Sequence, residues 1–78
     1  MPTIETVDIT SHAFALRLAN LLVATRTRKG QSLRVVARNS NGRFSARGLK
    51  AFERAESSID ETLIDELAVL YQCDLGTI

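Results

Sequence analysis

The side chains of this 78-residue chain that could do chemistry are mainly its ten cations and nine acids, and they are segregated along the sequence. Every Lys and Arg lies between Arg17 and Arg54, and Glu53 is the only acid between those positions. Ten cations against one acid give this segment a formal charge of +9, and the eight other acids give the rest −8. The pattern predicts a surface that faces a polyanion, with nucleic acid as the leading partner. The plainer interpretation is a solvated basic face without a partner.

The residue types that serve catalysis or metal binding are scarce. His12 and Cys73 are the only histidine and cysteine, whereas a structural zinc site takes four such ligands. One histidine near the start of the chain gives no credible Ser-His-Asp set, and the acids are expected on an exposed helix side. We therefore expect no enzymatic activity, no metal and no cofactor. We expect His12 at the surface and Cys73 as a small buried apolar side chain.

The sequence contains no pattern typical of a membrane span or a secretory signal. Apolar runs such as residues 21–24 are far too short to cross a bilayer. The first residues lack the basic and then apolar order of a signal peptide. Together with the single cysteine, these features favour a cytoplasmic protein.

The first eleven residues have no sustained period, so we predict an N-terminal arm over residues 1–11 and one domain over 12–78. The domain begins with a helix, for which Thr10 or Ser11 is the candidate N-cap. Gly30 is expected to end that helix, after several cations in its last turn. The apolar stripe of the helix consists of Phe14, Leu18, Leu21, Leu22 and Thr25.

Three further helices are predicted, each preceded by a residue that can cap it. The caps are Ser32, Ser45 and Asp60. The stripes that follow are Leu33, Val36 and Ala37; then Ala46, Leu49 and Phe52; then Leu63, Ile64, Leu67, Leu70 and Tyr71. A turn over residues 74–78 is expected to pack on the core. Since no segment alternates long enough for a strand, we predict an all-α, compact bundle of four to five short helices.

The pair Asn41-Gly42 lies between the second and third predicted helices and has two interpretations. Asn-Gly is the strongest short signal for a β-hairpin. A lone hairpin without a sheet is only marginally stable in water, so we predict a widened turn between two helices. Two short basic helices joined by a turn are typical of a helix-turn-helix, whose second helix enters the DNA major groove.

An ordered set of residues from about position 13 to the end carries a family resemblance. It comprises Arg26, Gly30, Ser32, Val36-Ala37, Phe52-Glu53-Arg54-Ala55 and Leu67-Ala68-Val69-Leu70-Tyr71. With it, the chain resembles the lambda-repressor-like helix-turn-helix family of Cro and XRE type. The insert "NSNGRF" makes it most similar to the BldD-type regulators of actinobacteria. The resemblance implies a transcription regulator that binds double-stranded DNA, as a homodimer on a palindromic site.

The resemblance also implies which residues touch DNA. A recognition helix over about residues 45–54 would contact bases through Ser45, Ala46, Arg47 and Lys50. The backbone would be contacted by Gln31, Ser32, Arg34, Arg38, Arg43 and Arg54. Arg47 is the expected partner of a guanine, and Lys50 would read a base or hold a phosphate. The alternative function is a protein-protein interaction module on the same scaffold, antitoxin-like or associated with a polymerase.

Several positions carry a structural expectation as well. Leu33 stands where many family members have Gln, so a phosphate contact is missing there. Ala55 stands where they have Gly, and because a left-handed alanine is costly, we expect the third helix to continue or to exit differently. Glu53 is a candidate partner for an arginine inside the domain. Arg17 and Arg26 are expected on the solvated surface. Gly48 is expected to allow close packing on the second helix, with close approach to DNA as the alternative.

Overall fold

The computed structural model describes residues 12–73, which form four helices. They are α1 (His12–Arg28), α2 (Leu33–Asn39), α3 (Ala46–Glu53) and α4 (Glu61–Tyr71). No strand occurs among these residues, so the prediction of an all-α bundle is confirmed. The predicted arm over 1–11, its caps at Thr10 or Ser11, and the turn over 74–78 lie outside the described residues.

All three predicted caps within the described residues stand at helix starts. Ser32 Oγ accepts a hydrogen bond from the amide of Val35 at 3.2 Å. Ser45 Oγ accepts one from the Gly48 amide at 3.0 Å, and Asp60 Oδ1 accepts one from Leu63. Each such contact satisfies a first-turn N–H that has no partner within the helix, and is typically worth about 1 kcal/mol. The starts of α2, α3 and α4 were therefore encoded locally.

Helices α1, α3 and α4 each end through a left-handed residue, and that residue is a glycine only after α1. Gly30 has φ of 69° after α1, as predicted, and Gln31 N–H then bonds back to Arg26. Ala55 has φ of 58° after α3, and Glu56 N–H donates to the Ala51 carbonyl at 2.8 Å. The expectation that α3 avoids this conformation is wrong: the hydrogen bonds that close the helix offset the strain of a left-handed alanine.

One core unites the four helices, and α3 packs against both α1 and α2. Its buried members are Phe14, Leu18, Leu22, Val36, Leu49, Phe52, Leu67 and Tyr71. Most of the predicted stripe of α1 is buried, including Thr25, whereas Leu21 is only half-buried. Phe44 lies beside the core and meets Phe52 edge-on, with ring centroids 6.1 Å apart. This packing fixes α3 with one side inward and the opposite side in solvent.

Asn41 and Gly42 form the turn between α2 and α3, so the prediction of a turn without a hairpin is confirmed. Their φ values are 56° and 87°, and Arg43 N–H donates to the Ser40 carbonyl at 3.1 Å. Two positive φ values and this bond are typical of the turn that Asn-Gly makes in hairpins. Ser40 Oγ also accepts from the Phe44 amide at 3.0 Å. The dipeptide thus specifies the local turn, while the flanking residues specify helices.

Gly48 lies inside α3 for a reason other than the predicted packing on α2. A Cβ placed there would meet a single atom within 4 Å, Ser45 Oγ, at 3.3 Å. No atom of α2 comes that close, so the expectation of close packing is wrong. The glycine instead leaves room for the hydroxyl that caps the helix.

Candidate nucleic-acid interface

The outer side of α3 carries the cations that the sequence assigned to DNA. Leu49 and Phe52 are buried, whereas Arg47, Lys50 and Arg54 are exposed. In a helix, residues 47, 50 and 54 fall along one side because they are three and four positions apart. The structure therefore gives α3 an inward and an outward side as predicted, but the placement of Ala46 in the inward stripe is wrong, since it lies on the outer side. Ser45 is exposed at the cap, where its hydroxyl oxygen is already engaged by Gly48.

A shallow cavity of about 460 Å³ lies between the first residue of α2 and this outer side of α3. Three cations and three apolar side chains line it together with one acid: Arg47, Lys50, Arg54, Leu33, Ala46, Ala51 and Glu56. The cavity thus gathers three predicted base-contacting residues and one predicted backbone-contacting residue. Leu33 also packs against the core, so the position that departs from the family pattern forms an apolar wall.

Ala51 and Glu56 line the cavity but were not among the predicted site residues. Ala51 lies four positions after Arg47, so helical spacing alone could have placed it on the same side. Glu56 forms an exposed ion pair with Arg54, with Nε and Oε2 3.4 Å apart. Exposed pairs of this kind are weak, so Arg54 remains able to exchange its partner. Glu56 lies beyond the end of α3, so helical spacing could not place it on the outer side of that helix.

Arg34 and Arg38 form a second basic row, on α2. Both are exposed and four residues apart, so they share one side of the helix. Neither makes an ion pair with any described residue. Ser32 lies at the start of the same helix, with its hydroxyl oxygen accepting from Val35. Within the described part of the chain, Arg34 and Arg38 therefore have no acidic partner, whereas the Ser32 hydroxyl oxygen is engaged in the cap.

The structure places Gln31 and Arg43 away from this cavity. Both line an open groove of about 680 Å³ between the α2–α3 turn and α4. The Gln31 carbonyl accepts a hydrogen bond from Arg26 Nη1 at 3.0 Å. Of the ten predicted DNA-contacting residues, Gln31 and Arg43 therefore lie in the groove beside α4. The other eight lie on or beside α3 and α2.

Arg43 is paired in the described structure, a contact that the sequence did not predict. Its Nε and Nη2 donate to the two carboxylate oxygens of Glu66 at 2.9 and 2.7 Å. The Arg43 side chain is 56% exposed and that of Glu66 is 35% exposed. The hydrogen bonds from Arg43 hold the pKa of Glu66 below its usual value. The two residues are 23 positions apart with α3 between them, so local sequence patterns could not predict the pair.

A part-buried network holds α3 on α1 and α4. Arg26 Nε and Nη2 each donate to Glu53 at 2.8 Å, and the Tyr71 hydroxyl donates to the same carboxylate at 2.7 Å. The interpretation of Glu53 as the partner of an internal arginine is confirmed, and the expectation of a solvated Arg26 is wrong. Burial and the bond to Glu53 raise the pKa of Tyr71 far above its usual value. The hydrogen bond to Glu53 likewise raises the pKa of Arg26.

Lys29 is a further cation with internal partners. Its Nζ donates to the Tyr71 carbonyl at 2.8 Å and to Gln72 Oε1 at 2.9 Å, so it ties the end of α1 to the end of α4. Arg17 is exposed, as expected. The basic segment therefore contains two kinds of cation: some stabilise the bundle, and others face solvent.

Residues 12–73 contain no cluster of three or more His, Cys, Asp and Glu side chains that could hold a metal ion. His12 is exposed, as expected, whereas Cys73 is half-buried rather than fully buried. Over the same residues, each helix is too short or too polar to cross a membrane.

No protein-family model matches the chain, and no curated protein or solved structure matches it. The outer sides of α2 and α3 are therefore the feature of the molecule from which a function is inferred.

Proposed function

We propose that this protein is a transcription regulator that binds double-stranded DNA sequence-specifically, with α3 in the major groove. The observation that carries the proposal is the outer side of α3, where Arg47, Lys50 and Arg54 line one cavity beside the start of α2. The opposite side of α3 is locked inward by Leu49 and Phe52. A helix that is fixed in this way can enter the groove without rearrangement of the bundle.

The proposal gives the residues separate roles. Arg47 contacts a guanine edge through two hydrogen bonds, while Lys50 reads a base or holds a phosphate. Ser45 and Ala46 approach the bases at the start of the helix. The phosphate contacts come from Ser32, Arg34, Arg38 and Arg54, with Gln31 and Arg43 at the margin. Phosphate contacts set position and affinity, whereas base contacts set the sequence.

The family, the assembly and the location belong to the same proposal. We assign the chain to the lambda-repressor-like helix-turn-helix family, with the BldD-type regulators as the most similar group. A homodimer would place two copies of α3 in successive major grooves, about 34 Å apart, on a palindromic site. The protein would act in the cytoplasm, on the nucleoid when bound to DNA.

Selection of genomic DNA fragments tests this proposal. The protein is immobilised, sheared genomic DNA is passed over it at moderate salt, and the retained fragments are sequenced. We expect enrichment of one motif with two inverted halves. Retention of fragments without any shared motif would leave only non-specific binding and would contradict sequence-specific regulation.

The alternative is a protein-interaction module, in which either the acidic α4 or the exposed cations of α2 and α3 bind another protein. The exposed cations of α2 and α3 support either partner, because any polyanion attracts them. Competition distinguishes the two functions. If DNA is the partner, a duplex with the selected motif should displace labelled duplex far better than polyglutamate of equal total charge.

A further inference from the structure

The α2–α3 turn presents Arg43 to the open groove between this turn and α4. The turn is fixed by Asn41 and Gly42 and by the Ser40 hydroxyl, which accepts from the Phe44 amide. The Arg43 guanidinium lies 5.1 Å from the centre of the Phe44 ring. The hydrogen bonds of the turn therefore hold the backbone around Arg43 in place, while the Arg43 side chain is more than half exposed.

The carboxylate of Glu66 accepts hydrogen bonds from the Arg43 guanidinium in the same way that a phosphate would. Both guanidinium contacts are short, at 2.7 and 2.9 Å, and they engage the two carboxylate oxygens. Arginine binds carboxylate and phosphate with the same pair of parallel donors. A phosphate that approaches Arg43 must therefore replace Glu66 or bind beside a negative charge.

We propose that Glu66 competes with DNA phosphate for Arg43, and thereby limits the affinity of this protein for DNA. This inference rests on the proposed function. In the free protein the pair is neutral, so Arg43 adds nothing to the attraction of the polyanion. A DNA phosphate reaches Arg43 only by displacing this carboxylate on α4, and while the pair stays closed Arg43 makes no phosphate contact.

The position of the pair permits this exchange. Both side chains are at least one-third exposed, and ion pairs open to water are weak. Glu66 lies on α4, so its loss does not disturb the caps of α2 or α3. The fold thus places the negative charge of Glu66 beside Arg43, and no local sequence pattern does so.

The experiment compares Glu66→Gln with the unchanged protein on a duplex recovered by genomic selection. Dissociation constants are measured over a series of salt concentrations. Freed from its carboxylate, Arg43 gains one phosphate, so the slope of log K against log salt should steepen by about 0.9. The same gain corresponds to binding about eightfold tighter at 0.1 M salt.

Asp65→Asn is the matched control. Asp65 is the neighbouring acid on α4, lines the same groove, is exposed and makes no ion pair with any described residue. Its replacement removes one negative charge without releasing an arginine. We expect a small increase in affinity and an unchanged salt slope.

A double variant links the effect to Arg43. In Arg43→Ala, the further change Glu66→Gln should leave the salt slope unaltered, because no guanidinium is released. Circular dichroism melts of each variant confirm that the fold is retained. An effect of Glu66→Gln that persists without Arg43 would overturn the inference.

The outcomes separate this inference from the proposed function. Duplex binding by the unchanged protein, with no change or with weaker binding in Glu66→Gln, overturns the competition alone. Weaker binding would show that Glu66 positions Arg43 for the phosphate instead. No duplex binding by the unchanged protein overturns the proposed function, and the inference with it.

Discussion

The Tyr71 hydroxyl belongs to the hydrogen-bond network that joins α1, α3 and α4. It is buried against Glu53, which also accepts two hydrogen bonds from Arg26. Tyr71 is the only tyrosine, and the chain has no tryptophan. Absorbance of the tyrosinate ion therefore reports on this one network, and hence on the attachment of α3 to α1 and α4.

We predict that Tyr71 ionises well above its ordinary pKa of about 10. Since the folded state holds this proton more tightly than the unfolded state, the stabilisation is complete below pH of about 10. It is lost as the pH rises from there towards the raised pKa, by up to about 1.4 kcal/mol per pH unit. Spectrophotometric titration and urea unfolding at several alkaline pH values measure both effects. In Tyr71→Phe this alkaline loss should shrink, and an ordinary tyrosine titration in the folded protein would contradict the network.

Thr25 is buried, at 1% exposure, and its hydroxyl has no hydrogen-bond partner within the described residues. Thr25→Val keeps the shape and removes the unpartnered group. We expect the free energy of unfolding to rise by about 1 kcal/mol in urea denaturation. Thr25→Ala is the control: it also removes the methyl group and leaves a void, so it should destabilise. Equal destabilisation by both changes would mean that the hydroxyl is satisfied.

Arg47 and Arg38 allow the proposed roles to be tested residue by residue. Arg47→Ala should relax the sequence preference at one base pair, with a loss of about 1–3 kcal/mol on the best site. Arg38→Ala should weaken all sequences alike and make the salt slope shallower by about 0.9. Binding to a set of single-base variants of the selected site distinguishes the two. Equal effects of the two changes would refute the assignment of base and phosphate contacts.

At the scale of elements, the starts of helices were predictable and their ends less so. Ser32, Ser45 and Asp60 cap through contacts within three residues, so the sequence carries the whole signal. The left-handed conformation of Ala55 depends on how the chain leaves α3 for α4, which local preference cannot supply. The expected role of Gly48 failed because the nearest atom belonged to its own cap rather than to α2.

Ala55 is therefore a position where the protein can be stabilised. We predict that Ala55→Gly raises the free energy of unfolding by about 0.5–1 kcal/mol, since glycine adopts positive φ without steric cost. Urea denaturation at neutral pH measures the change. Gly30→Ala is the matched control at the end of α1, and it should lower stability by a similar amount. A loss of stability in Ala55→Gly would show that the left-handed conformation carries no strain.

At the scale of the whole molecule, the charge pattern along the chain and the charge pattern in space differ. The sequence predicted one basic segment, and half of its ten cations lie exposed on or directly after α2 and α3: Arg34, Arg38, Arg47, Lys50 and Arg54. It predicted that Glu53 pairs with an internal arginine, but not that this arginine is Arg26, nor that Lys29 and Arg43 take partners on or next to α4. These partners are 23 to 43 residues away. The cations left for a ligand are therefore fewer than the sequence suggests.

The central claim is that these remaining cations bind the DNA backbone while α3 reads the bases. The most direct test is a salt titration of the binding of the selected duplex. With about five phosphates neutralised, log K should fall linearly with log salt, with a slope of about −4.5. No duplex binding at low salt, or binding that salt hardly changes, would contradict the account.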